Sequence, residues 1–156
     1  MSILSALRTY LKTYSGLKSD APVWVQYLGN VPTEYSIVPL PGNNIIESYI
    51  NGGSLREYPF AFQSMESTAD DLARLENQGF YEAFADWLET QTESEIFPTL
   101  DTGKKPVLIE TTNWGYLFEE GESDRGIYQI TCRLQYEQAR YEVPKPEEPE
   151  EPEEPE

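Results

Sequence analysis

Residues 127–137 read Ile127-Tyr128-Gln129-Ile130-Thr131-Cys132-Arg133-Leu134-Gln135-Tyr136-Glu137. Tyr128, Ile130, Cys132, Leu134 and Tyr136 alternate with Gln129, Thr131, Arg133, Gln135 and Glu137, the period of a strand with one apolar and one polar face. One-sided alternation belongs to antiparallel sheets, because parallel strands are covered on both faces and read as continuous apolar runs. Upstream, Glu119-Glu120-Gly121-Glu122-Ser123-Asp124-Arg125-Gly126 is a polar turn. Before it, residues 107–112 and 114–118 read as one extended run, with Trp114, Tyr116 and Phe118 on one face and Gly115 marking a bulge. Together these segments predict a long antiparallel hairpin.

A second hairpin is expected around Asn51-Gly52-Gly53, whose residues tolerate the positive φ of tight turns. Residues 44–50 and 55–64 flank it. Pro59 cannot donate a ladder hydrogen bond, so the second of these strands is expected at a sheet edge or bulged there. Residues 22–28 and 34–39 are β-branched and aromatic and read as two further short strands, the second ended by Pro39 and Pro41.

Two helices complete the pattern. Ile3, Leu7, Leu11 and Tyr14 recur every three or four residues, predicting an amphipathic helix over residues 2–14 closed by Ser15-Gly16. Ser67-Thr68-Ala69-Asp70-Asp71 supplies a hydroxyl cap and first-turn carboxylates for another, with Leu72 and Leu75 opening its apolar stripe. Phe80, Phe84, Trp87 and Leu88 continue the stripe, so the segment is expected to run, continuous or slightly kinked past Asn77-Gln78-Gly79, to about Thr90. Phe60 and Phe62 share a strand face and are expected to pack under Phe80, Phe84 and Trp87. The fold class is therefore α+β, an antiparallel sheet with helices mainly on one face, in a single domain over residues 1–141.

Residues 142–156 differ in kind. Pro144, Pro146, Pro149, Pro152 and Pro155 alternate with glutamates and offer too little apolar surface to offset ordering entropy, so this tail is expected to be disordered. The seven Glu and one Lys of residues 144–156 account for −6 of the chain's −17, leaving −11 on residues 1–143. Such an acidic body disfavours electrostatic nucleic-acid binding, which requires cations to neutralise phosphates.

The chemistry of the chain is limited by what it lacks. With no histidine, a Ser-His-Asp triad and His-dependent zinc sites are excluded. Cys132 lies on the apolar strand face and reads as a buried structural thiol. Gly103-Lys104 lacks the earlier glycine and the following Ser or Thr of a phosphate-binding loop. Residues 119–124 lack the ligand spacing of an EF-hand. The carboxylate pairs Asp70/Asp71, Glu119/Glu120 and Glu122/Asp124 sit at a helix start or in a turn, where ordinary structural roles explain them. No catalytic, cofactor-binding or metal-ligating residues are identified, and the chain reads as a non-enzyme. No segment has the length and apolarity of a membrane span, and a soluble intracellular protein is expected.

Several stretches carry a family likeness: Ile3-Leu4-Ser5-Ala6-Leu7-Arg8-Thr9-Tyr10-Leu11, Tyr35-Ser36-Ile37, Tyr49-Ile50-Asn51-Gly52-Gly53-Ser54-Leu55-Arg56, Gly79-Phe80-Tyr81-Glu82-Ala83-Phe84-Ala85-Asp86-Trp87-Leu88, Gly115-Tyr116-Leu117-Phe118 and Tyr128-Gln129-Ile130-Thr131-Cys132-Arg133-Leu134. Over roughly residues 1–138 the chain resembles the minor capsid or tail terminator proteins of long-tailed phages and prophages of Gram-positive bacteria. These motifs are packing patterns. The resemblance implies a virion structural protein forming a homo-hexameric ring that caps the tail tube and joins it to the head-completion or connector protein, with DNA passing through the lumen without specific binding. Six bodies of −11 carry about −66, which would repel DNA wherever that charge faces the channel. A head-completion or connector subunit is the alternative within this class, and an acidic adaptor or binding module the alternative outside it.

Overall fold

A computed structural model of the protein describes residues 2–42 and 44–140. The expected Pro/Glu tail lies outside the described residues. Two long strands form the centre of the sheet, β4 (Ser54–Ser67) and β7 (Arg125–Gln138), paired antiparallel along their whole length. Each is flanked on its other side by two short strands. On the β4 side lie β2 (Glu34–Pro39) and β3 (Ile45–Ser48), and β1 (Val23–Val25) pairs with β2. On the β7 side, β5 (Lys104–Thr111) and β6 (Tyr116–Glu120) pair with opposite ends of the strand. The helices are α1 (Ile3–Leu11) and α2 (Asp71–Glu93). The architecture is α+β, a seven-stranded, mostly antiparallel sheet.

The alternation of residues 128–136 is realised: Tyr128, Ile130, Cys132, Leu134 and Tyr136 are all buried. Across the β4–β7 ladder Cys132 faces Phe60 and Ile130 faces Phe62, so these side chains share one face of the sheet. Both helices cover that face. Phe84 of α2 stacks on Phe62 with ring centroids 4.9 Å apart, and Tyr81 stacks on Tyr128. Tyr10 of α1 and the nearby Tyr14 meet Trp87 and Phe84, joining the helices through an aromatic seam. Phe80 and Trp87 thus contact tyrosines (Tyr35 for Phe80, Tyr10 and Tyr14 for Trp87), and of these three helix rings it is Phe84 that stacks on a strand phenylalanine, Phe62.

Local chemistry sets the helix ends. Ser2 caps α1 by accepting from the Ser5 amide, and the helix stops at Leu11, before Tyr14 and Ser15-Gly16. The cap of α2 is the Asp70 carboxylate accepting from the Ala73 amide at 2.8 Å, in place of the expected hydroxyl. The helix is continuous through Gly79 to Glu93.

Five further sequence expectations are corrected. Pro59 lies in a central strand, tolerated because its nitrogen faces the gap between β2 and β3; its carbonyl accepts from Leu40, and the Glu57 amide on the same side reaches Asn44. Leu72 and Leu75 are exposed, and buried Asn77 instead holds the start of α2 by donating to the Ser67 carbonyl. The run expected from 107 to 118 is two strands broken by a corner at residues 112–115. There Asn113 Oδ1 accepts from the Gly115 amide, and Gly115 adopts φ +83°. The bulge in β6 falls between Leu117 and Glu119 instead of at Gly115. Strand formation in residues 22–28 is confined to Val23–Val25, and β1 runs parallel to β2 in an otherwise antiparallel sheet.

Candidate assembly surfaces

The sheet face opposite the helices carries a polar lattice. Gln63 donates to Gln129 at 2.7 Å, and Gln129 donates on to the Tyr116 hydroxyl at 3.0 Å, which explains how an outward-facing Gln129 is buried. Farther along, Arg133 on β7 bridges Glu57 on β4 and Glu110 on β5, with Gln135 also donating to Glu57. These ties link three strands across a face that carries no apolar covering.

Exposed apolar groups flank several strand edges, β1 with Trp24 and Tyr27 among them, and two of these edges lie at opposite corners of the sheet. Trp114, in the corner before β6, and Tyr116 and Phe118 within β6 remain 65%, 41% and 50% exposed. Tyr116 and Phe118 lie with ring centroids 6.3 Å apart. Among the described residues β6 pairs with β7 alone, so its outer edge is unpaired. Gln78 on α2 donates to the Trp114 and Gly115 carbonyls and anchors the corner that leads into it. Exposed Leu72 and Leu75 extend the apolar surface on the helix side.

The second edge is β3, at the diagonally opposite corner of the sheet. It pairs with residues 54–56 of β4, whereas β6 pairs with residues 126–129 at the far end of β7. All four residues of β3 are exposed, including Ile45 and Ile46, and Ile50 stands fully exposed in the following turn. The hairpin is well made: the Tyr49 amide donates to the Gly53 carbonyl at 2.8 Å, Asn51 Oδ1 accepts from the Gly53 amide, and Gly52 takes φ +91°.

No family model matches the chain, and no curated protein matches it.

Other features offer less to a chemical reading. Cys132 is buried, and burial pushes its thiol up, away from the reactive thiolate. A groove of about 400 Å³ between α2 and β5 is edged by Asp86, Glu89, Glu93 and Glu110, but the first three stand exposed on the helix and Glu110 is engaged by Arg133. Among the described residues no group of three or more His, Cys, Asp or Glu side chains could hold a metal ion, and no helix is long and apolar enough to cross a membrane. The edge aromatics were visible in the sequence as an alternating run. Their exposure was not, because alternation assigns side chains to faces without saying which face is covered.

Proposed function

We propose that this protein is a non-enzymatic structural subunit of a long-tailed phage or prophage virion, a tail terminator that closes into a homo-hexameric ring at the head-tail interface. The observation that supports this reading is the pair of apolar-flanked edges, β3 and β6, unpaired among the described residues and at opposite corners of one sheet. Edge strands left open in this way pair with other chains unless they are blunted. Different edges meeting head to tail make a heterologous contact, which generates a ring when the rotation closes. In the proposed assembly β6 of one copy lies against β3 of the next, burying Tyr116 and Phe118 against Ile45 and Ile46.

Such a ring acts by geometry. It covers the growing end of the tail tube and stops polymerisation, and it presents its other rim to the head-completion or connector protein. The acidity of residues 1–143 suits a channel through which DNA passes without adhering. A head-completion or connector subunit is the second reading, favoured by the same edges, and is separated from the first by which partner the ring binds.

Native mass measurement with negative-stain imaging tests the proposal. A six-membered ring that halts growth of tail tubes is expected, and Ile46→Glu or Phe118→Glu should yield folded monomers. A wild-type monomer at high concentration that leaves tube growth unchanged overturns it.

A further inference from the structure

One end of the sheet differs in charge from the rest of the acidic body. Lys104 and Lys105 open β5, and Arg140 lies two residues past the end of β7. Together with Tyr49, Asn51 and Gln138 they line a groove of about 400 Å³. Among the described residues the same groove contains one carboxylate, Glu137, the register partner of Lys105. None of the three cations forms an ion pair among the described residues. The chain leaves the described fold in this groove, at Arg140.

We infer that this groove is the docking site of the chain's own acidic segment, residues 147–156. That segment holds seven Glu and three Pro, and Pro149, Pro152 and Pro155 recur every third residue. A polyproline II conformation places those prolines on one face and turns the glutamates to the others. Proline-rich segments in this conformation dock in aromatic-lined grooves, a role open to Tyr49, while the glutamates meet Lys104, Lys105 and Arg140. The seven Cα–Cα steps from Arg140 to Glu147 span up to about 23 Å when extended, ample for the segment to turn back into the groove it leaves. Tethering supplies a millimolar effective concentration, enough for a contact built from individually weak, screened ion pairs. Elsewhere the segment meets a body of net negative charge. The docked segment is a built-in competitor for any anionic partner approaching this end of the sheet.

Zero-length carbodiimide coupling of the full-length protein, read by peptide mass spectrometry, tests the inference. Lys104 and Lys105 should couple to Glu147–Glu156 far more than exposed Lys12 and Lys18 do, with Lys145 as an internal standard. The yield should fall about tenfold between low salt and about 0.5 M salt. A full-length variant with the seven glutamates changed to Gln should lose the products while its core resonances stay unchanged. Equal coupling to all lysines, or no salt dependence, overturns the inference. Products that join isotopically labelled and unlabelled chains in a mixed sample also overturn it, placing the segment on a neighbouring copy. The outcome is independent of whether a ring forms, since an intrachain product is scored the same way in a monomer.

Discussion

The hydroxyl of Thr92 in α2 satisfies both outward-facing main-chain groups of Ile109 in β5, donating to the carbonyl at 2.6 Å and accepting from the amide at 3.1 Å. A helix side chain thereby closes the middle of an edge strand that would otherwise be open to pairing. Thr92→Val keeps the shape and removes both hydrogen bonds, leaving two polar groups without partners. The expected loss is about 1–3 kcal/mol in urea unfolding, with Thr92→Ser close to wild type. Equal stability of the Val and Ser variants would show that water replaces the hydroxyl.

Tyr81 occupies the centre of the core, its hydroxyl 2.6 Å from Ser64 Oγ and donating to the Tyr128 carbonyl at 3.3 Å. Burial drives its phenol well above the ordinary value, so the group stays neutral. Tyr81→Phe should cost about 1–2 kcal/mol. Gly115 presses against the same residue: a Cβ there would lie 2.6 Å from Tyr81 Cβ, on a backbone with φ +83°. Gly115→Ala should therefore cost about 2–4 kcal/mol, measured by thermal or urea unfolding. An unchanged midpoint would mean that the corner moves freely.

Gly79 contrasts with Gly115. It lies within α2, without a positive φ, and a Cβ there would meet nothing within 4 Å. Gly79→Ala should raise stability by about 0.5–1 kcal/mol, because alanine loses less backbone entropy on entering a helix. A drop in melting temperature would contradict the open surroundings described for this position.

Glu66 is partly buried beside Thr33, whose hydroxyl donates to its carboxylate at 3.1 Å. Burial raises its pKa above the ordinary 4.5, outweighing the lowering contributions of Ser64, Thr33 and Lys18. With the folded value above the unfolded one, the carboxyl's favourable contribution is complete below about pH 4.5 and is lost as pH rises through the folded value. Glu66→Gln should therefore gain in melting temperature relative to wild type between about pH 4 and about pH 7. A difference independent of pH would remove Glu66 from the account.

The sequence alone determined the elements whose neighbours impose a simple pattern. Residues 128–136 alternate because one face meets the helix layer and the other does not, and that period is written directly in the chain. The Asn51-Gly52-Gly53 turn and the uninterrupted α2 follow from local backbone preferences and from Phe84 and Leu88 recurring on one helix face. Only the tertiary structure decided what covers each face and edge. Pro59 occupies a central strand because β2 and β3 leave a gap opposite its nitrogen, an arrangement made by residues distant in sequence. Leu72 and Leu75 have the spacing of a buried stripe but remain exposed on α2, while Tyr116 and Phe118 of β6 are left open and Trp114, in line with them by sequence spacing, falls in the corner before the strand. Periodicity states the direction in which a side chain points. Whether apolar surface, a hydroxyl such as Thr92 or water waits there depends on contacts between elements, and the open edges are defined by those contacts.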